Sequence, residues 1–179
     1  MKTLTIDASP RQGGNTFQLT EAYLDTLVSE SQEIIHLRNM NIQHCTGCLA
    51  CFKTGECIID DDMNLIYKKL EEADHIIFST PVYFNSVTSL AKTMIDRCQR
   101  NYARRFILKL DPKSVEGKKG ILIMTAGSHE RKGEFAGVRW PIDLFFKSNG
   151  ITSFDEILID DADRGNIDEK IKNCIQNIE

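Results

Sequence analysis

Leu4-Thr5-Ile6-Asp7, then Ser9-Pro10-Arg11-Gln12-Gly13-Gly14-Asn15-Thr16, then an apolar stripe at Leu19, Tyr23, Leu24, Leu27 and Val28, reads as strand, loop and helix. Small residues let a loop backbone approach an anion, and a helix start offers N–H groups that no i−4 carbonyl takes. Ser9, Asn15 and Thr16 add side-chain donors, and Arg11 adds a charge suited to a phosphate monoester. No Gly-x-Gly-x-x-Gly follows the strand and no Gly-Lys-Ser/Thr ends the loop. A dinucleotide fingerprint and a triphosphate loop are therefore disfavoured. On composition alone, an anion cradle and a plain βα turn fit equally well.

The same alternation continues along the chain. Further strands are expected at Glu33 to Leu37, His75 to Ser79, Gly120 to Thr125 and Thr152 to Leu158. Helical stripes fall at Met63, Ile66, Tyr67 and Leu70, then at Leu90, Ala91, Met94, Ile95 and Cys98. Two more fall at Val138, Ile142, Phe145 and Phe146, ending near Asn149-Gly150, and at Ile167, Ile171, Cys174, Ile175 and Ile178. Asp60-Asp61-Asp62 suits a helix N-terminus rather than a metal site. Five strands alternating with five helices predict a parallel sheet covered on both faces. Right-handed crossovers favour the order 2-1-3-4-5, with a ligand crevice outside the carboxyl ends of the strands.

The chain has 179 residues, 41% hydrophobic and 27% charged, with a net charge of −4. One domain, 1–179, is expected, with a cysteine-rich insertion at about 44–60. The mildly acidic balance disfavours nucleic acid and anionic membranes as partners. Met1 to Ile6 lacks the apolar run of a signal peptide, and no segment is long enough to span a bilayer, so a cytoplasmic location is expected. Six cysteines in such a chain point to metal, redox or buried thiols rather than a disulfide framework.

Ser9-Pro10-Arg11 followed by Gly14-Asn15-Thr16 resembles the phosphate loop of the NADPH-dependent FMN reductase superfamily. Thr80-Pro81-Val82-Tyr83, with Lys92 and Asp96-Arg97 behind it, is similar to that group's second hallmark. The resemblance covers most of the first hundred residues and is one of pattern only from Gln99 onward. It implies a flavodoxin-like three-layer α/β sandwich that binds FMN. Ser9, Arg11, Gly14, Asn15 and Thr16 would then hold the phosphate. Pro81, Val82, Tyr83, Phe84 and Asn85 would border the isoalloxazine. Thr125-Ala126-Gly127-Ser128 ends the fourth strand, and its small residues make Thr125 and Gly127 a third flavin-edge candidate. Lys92, Asp96 and Arg97 read as a surface or interface charge group, and His129 as a solvated loop histidine.

Cys45-x-x-Cys48-x-x-Cys51, five residues, then Cys57 places four thiols within thirteen positions. Thiolates select soft metals. Zinc sites pair two knuckles across a longer loop, so this spacing lies closer to iron–sulfur ligation. It still differs from the bacterial ferredoxin run, in the final gap and in Ile58 where that run has proline. Reduced structural thiols are the plain alternative. The spacing resembles the iron-sulfur flavoprotein branch of the same superfamily, which implies a [4Fe–4S] cluster on Cys45, Cys48, Cys51 and Cys57. Cys98 and Cys174 lie on helix stripes as buried apolar residues.

These readings predict an FMN-dependent electron-transfer flavoprotein supplied by ferredoxin or a similar carrier. The competing readings are a cluster-free NAD(P)H-dependent flavin or quinone reductase and a non-enzymatic FMN- or metal-binding sensor. Flavin chemistry needs no dedicated acid, base or nucleophile, so no catalytic residue is nominated. The resemblance implies a homodimer or homotetramer with flavin sites near subunit contacts. The long Gln99 to Lys119 connection is expected to pack on a neighbouring subunit or cover the flavin, or else to form an exposed basic excursion.

Overall fold

The computed structural model describes residues 1–110 and 117–176. Five strands, β1 (Lys2–Asp7), β2 (Ser31–His36), β3 (His75–Pro81), β4 (Lys119–Thr125) and β5 (Asp155–Ile159), form one sheet. All neighbours are parallel and the order is β2-β1-β3-β4-β5, as expected. The crossover helices are α1 (Asn15–Leu24), α3 (Met63–Glu72), α4 (Ser89–Arg97) and α6 (Ala136–Ser148), and α7 (Ile167–Gln176) closes the described chain. Two single-turn helices, α2 (Cys51–Thr54) and α5 (Gln99–Tyr102), were not anticipated; a π-helical turn over Ala103–Ile107 follows the second. Ile178 and residues 111–116 of the long connection lie outside the described residues.

The two-residue period of the central strands makes the layers. Ile76, Phe78, Leu122 and Met124 pack with Ile66, Leu70, Met94, Ile142 and Phe145 on one side. Ile77, Ile121 and Ile123 pack with Leu19, Tyr23 and Ile171 on the other. Helices α3, α4 and α6 thus cover one face, and α1 and α7 the other. Each fully buried apolar side chain contributes about 1.5–3 kcal/mol. The flavodoxin-like sandwich is the consequence.

Element ends differ from expectation for local reasons. α1 stops at Leu24, past which the Thr26 and Leu27 N–H groups turn to i−3 carbonyls at 3.1 Å each, and Val28 stands 97% exposed beyond it. α6 ends where expected. Gly150 takes a left-handed φ of 89°, and the Ile151 N–H returns to the Phe146 carbonyl at 3.0 Å. That turn delays β5 to Asp155.

Three charge readings need correction. Arg97 is not on the surface: it is 2% exposed, and only Lys92 and Asp96 form the expected open pair, at 2.7 Å. The acidic run does more than start α3. Asp61 accepts the Met63 N–H at 3.0 Å, but its carboxylate also receives Arg97 and the Gln43 N–H, and Asp62 receives the Asn41 N–H. The described part of the long connection is no free basic excursion. α5 and the π turn pack on α2 of the same chain. No helix among the described residues is long and apolar enough to cross a membrane.

Candidate functional site

The loops after β1, β3, β4 and β5 meet at one edge of the sheet. Asp7 ends β1 with its carboxylate wholly buried. It accepts the Ser9 N–H at 3.0 Å, His36 Nδ1 lies 2.8 Å away, and Arg38 donates at 2.5 Å. This anchors the start of the loop over residues 9–16. The Ser9 hydroxyl donates to the Arg11 carbonyl at 3.1 Å, which folds the loop back on itself. Gly14 then caps α1, and no side chain takes the free N–H groups of the first turn. Those donors are what a phosphate requires.

Cross-links hold this loop to its neighbours. Asn15 Nδ2 donates to the Ala162 carbonyl at 3.0 Å, and the buried Thr16 and Thr125 hydroxyls meet at 2.6 Å. The Val82 N–H donates to the Thr125 carbonyl at 2.8 Å. A cleft results, lined by Ser9, Arg11, Gly14, Asn15 and Thr16 from the first loop, by Pro81, Val82 and Tyr83 from the second, and by Thr125 and Gly127 from the third. Ten of the twelve residues expected at a cofactor site therefore share one concavity.

The other two do not. Tyr83 and Ser86 exchange N–H···O bonds of 2.9 Å each, closing a two-residue turn with Phe84 at φ 49° and Asn85 at φ 56°. A bulky residue in the left-handed region is strained. Phe84 projects fully into solvent instead of toward the cleft. The turn rests on α6, where a Cβ on Gly137 would stand 2.3 Å from the Asn85 carbonyl oxygen. Gly137→Ala is therefore expected to push this turn off α6 and destabilise the chain by about 1–3 kcal/mol, measured by denaturant unfolding.

Several site residues escaped the sequence reading. Ala162 and Asp163 close the cleft from the β5–α7 loop. A Cβ on Gly127 would come within 2.5 Å of the Asp163 carboxylate, so that glycine is required by a close approach. His36 and Asp7 are register partners on adjacent strands, a pairing visible only once β2 is known to flank β1. His129 is not merely solvated. It bridges Asp160 at 3.0 Å and Asp161 at 3.5 Å, joining the third and fourth loops.

The four cysteines share a second cavity. Gly47 and Leu49 take left-handed φ values of 67° and 60°, which coil the segment before α2. Cys45, Cys48, Cys51 and Cys57 all line one cavity of about 350 Å³. Burial pushes the Cys51 thiol up, and so do its neighbours Cys57, Cys45 and Cys48. No three metal-binding side chains are drawn to ligand spacing among the described residues. The donor chemistry nevertheless suits a soft metal centre. Arg97 and Gln99 form part of the wall. Arg100 and Arg104 both bind Glu56, at 3.1 and 2.8 Å, beside Cys57.

Residues 1–136 match the NADPH-dependent FMN reductase family, a span that includes the cysteine cavity and three of the four cleft loops. An iron-sulfur flavoprotein of Archaeoglobus fulgidus is 36% identical over 139 residues, 76% of this chain and 60% of that one. Another, from Methanocaldococcus jannaschii, is also 36% identical over 139 residues and is covered to 67%. The chain belongs to the NADPH-dependent FMN reductase family, in its iron-sulfur flavoprotein branch. This family member spans 60%, 48% and 51% of the length of three curated relatives, so it aligns with only part of each. The family fold extends to an NAD(P)H:quinone oxidoreductase from Methanothermobacter marburgensis, with a TM-score of 0.76 at 15% identity, covering 98% of this chain and 94% of that one.

Proposed function

We propose that this chain is a cytoplasmic FMN-dependent oxidoreductase that passes electrons between a flavin in the sheet-edge cleft and a cluster on the four cysteines. It acts as one domain, with residues 44–60 as an insertion. The observation that carries the reading is the convergence of three separately expected loops on one cleft beside an uncapped helix N-terminus.

The cleft fits FMN. The first-turn N–H groups of α1 hold the phosphate, with Arg11 at the rim. The Ser9 hydroxyl is spent on the Arg11 carbonyl and shapes the loop, while of Thr16 and Thr125 the one that accepts keeps its own O–H to donate. Pro81, Val82 and Tyr83 would border the ring, and Gly127 would meet it where the Asp163 carboxylate packs on that glycine. Bound FMN supplies hydride or single-electron transfer. Cys45, Cys48, Cys51 and Cys57 would hold a [4Fe–4S] cluster, which supplies one-electron transfer. The chain's own task is to bind, orient and exclude water. NAD(P)H is the proposed donor, with ferredoxin or a quinone as alternative partners and a homodimer or homotetramer as the working assembly.

Anaerobic purification followed by an absorption spectrum and iron analysis tests this. Flavin bands with a broad iron–sulfur shoulder and about four iron atoms per chain are expected. Flavin without iron would favour the cluster-free reductase, a reading supported by the thiols' open spacing. Flavin that neither NAD(P)H nor ferredoxin bleaches would favour a sensor. Gly14→Val is expected to weaken FMN binding about tenfold or more, a loss of about 1.4 kcal/mol, by flavin titration. Its side chain would start 3.3 Å from Arg11 Cβ and 3.5 Å from the Ser9 hydroxyl, where the loop is already closed.

A further inference from the structure

Arg97 joins both ends of the cysteine-bearing segment. Nη1 donates to the Gln43 carbonyl at 2.9 Å and to Asp61 at 2.5 Å. Nη2 donates to the Ile59 carbonyl at 3.2 Å and to the other Asp61 oxygen at 3.1 Å. Gln43 lies two residues before Cys45, and Ile59 two residues after Cys57. One guanidinium thus closes the neck of a loop whose only cysteines are the four of the cavity. The anchor is rigid, because the Tyr67 hydroxyl donates to the Arg97 carbonyl at 2.8 Å from α3.

The placement of charge is equally directed. The Arg97 side chain has no exposed surface, and its Nε is buried without a hydrogen-bond partner. Of the ion pair, Arg97 lines the thiol cavity and Asp61 does not. Asp96, the carboxylate on the cavity wall, is held by Lys92 at 2.7 and 2.9 Å. A buried ion pair is rarely needed for stability, since apolar residues of like volume serve as well. Its presence under four thiols calls for a role there.

We propose that Arg97 is the positioning residue of the four-thiol centre. It clamps Gln43 to Ile59 so that the thiols face one cavity before a metal arrives, and its charge stabilises the anion assembled there. The charge half rests on the cluster reading of the proposed function; the clamp half does not. A thiolate-ligated cluster is anionic and gains a further negative charge on reduction, so a nearby cation raises its reduction potential.

The test uses the full chain as wild type, as Arg97→Lys and as the charge-neutral pair Asp61→Asn/Arg97→Gln, which leaves no lone buried ion. In metal-free protein a thiol reagent should label Cys51 and Cys57 about tenfold faster in the double variant. Cys98, buried in the core, should stay protected and report an intact core. Arg97→Lys should restore part of the slow rate. Equal labelling rates in wild type and double variant, with Cys98 protected, would overturn the clamp. After loading with ferrous iron and sulfide, the double variant's midpoint should fall by about 59 mV, a tenfold change for a one-electron couple. An unmoved midpoint would overturn the charge role. A wild-type chain that takes up no iron would instead sink the cluster reading, and the labelling rates would still decide the clamp.

Discussion

On the proposed cluster reading, replacing Cys51 by serine is expected to lower the iron content from about four atoms per chain to less than one, while the flavin stays bound. The reason is the position of this thiol. It shares one cavity with Cys45, Cys48 and Cys57, and burial, more than these neighbours, opposes its ionisation. A serine oxygen is a hard, weakly acidic donor that serves soft iron poorly. The flavin cleft shares no lining residue with the cysteine cavity, so flavin content should not follow the iron. Iron analysis and the flavin absorption of the same anaerobic sample make the measurement. Unchanged iron would remove Cys51 from the ligand set.

Arg97→Met carries the largest expected effect on stability, a loss of about 3–5 kcal/mol. Asp61 would remain buried at 1% side-chain exposure with its main counter-charge gone, and two backbone carbonyls would lose a donor. For a chain of this size the melting temperature should fall by roughly 6–20 °C. Acid should act through the same pair. Burial pushes the Asp61 carboxyl up, but hydrogen bonds from Arg97 and from the Gln43 and Met63 N–H groups bring it below its ordinary value. A depressed carboxylate contributes its full stability above the ordinary value of about 3.9 and loses it as pH falls through the lower folded value. Melting curves below about pH 4 should therefore flatten in Asp61→Asn/Arg97→Gln relative to wild type.

The strand order was legible because the central strands are nearly continuous apolar runs. Such runs demand cover on both faces, and only helices between parallel strands supply it. The cleft was legible for the related reason that βα loops must gather at the carboxyl edge. Phe84 and Asn85 show where that logic stops. Their sequence position beside Tyr83 does not reveal that a 2.9 Å pair of hydrogen bonds turns them outward. Arg97 shows it more sharply. Its neighbours Lys92 and Asp96 do make an exposed i,i+4 pair, yet Arg97 itself lies one position further round the helix and faces inward.

The alternation of apolar runs settled the architecture, and the spacing of Ser9 to Thr16 and of Cys45 to Cys57 marked the two candidate sites, because period and spacing are local properties of a chain. Burial and pairing are not local. Tertiary structure alone decided that Asp7 holds the phosphate loop through His36 and Arg38, 29 and 31 residues away. It alone decided that Asp61, while still accepting the Met63 N–H at its helix start, also takes Arg97 across 36 residues. A charge is buried only where a partner from a distant segment arrives with it, and no stretch of sequence records that arrival.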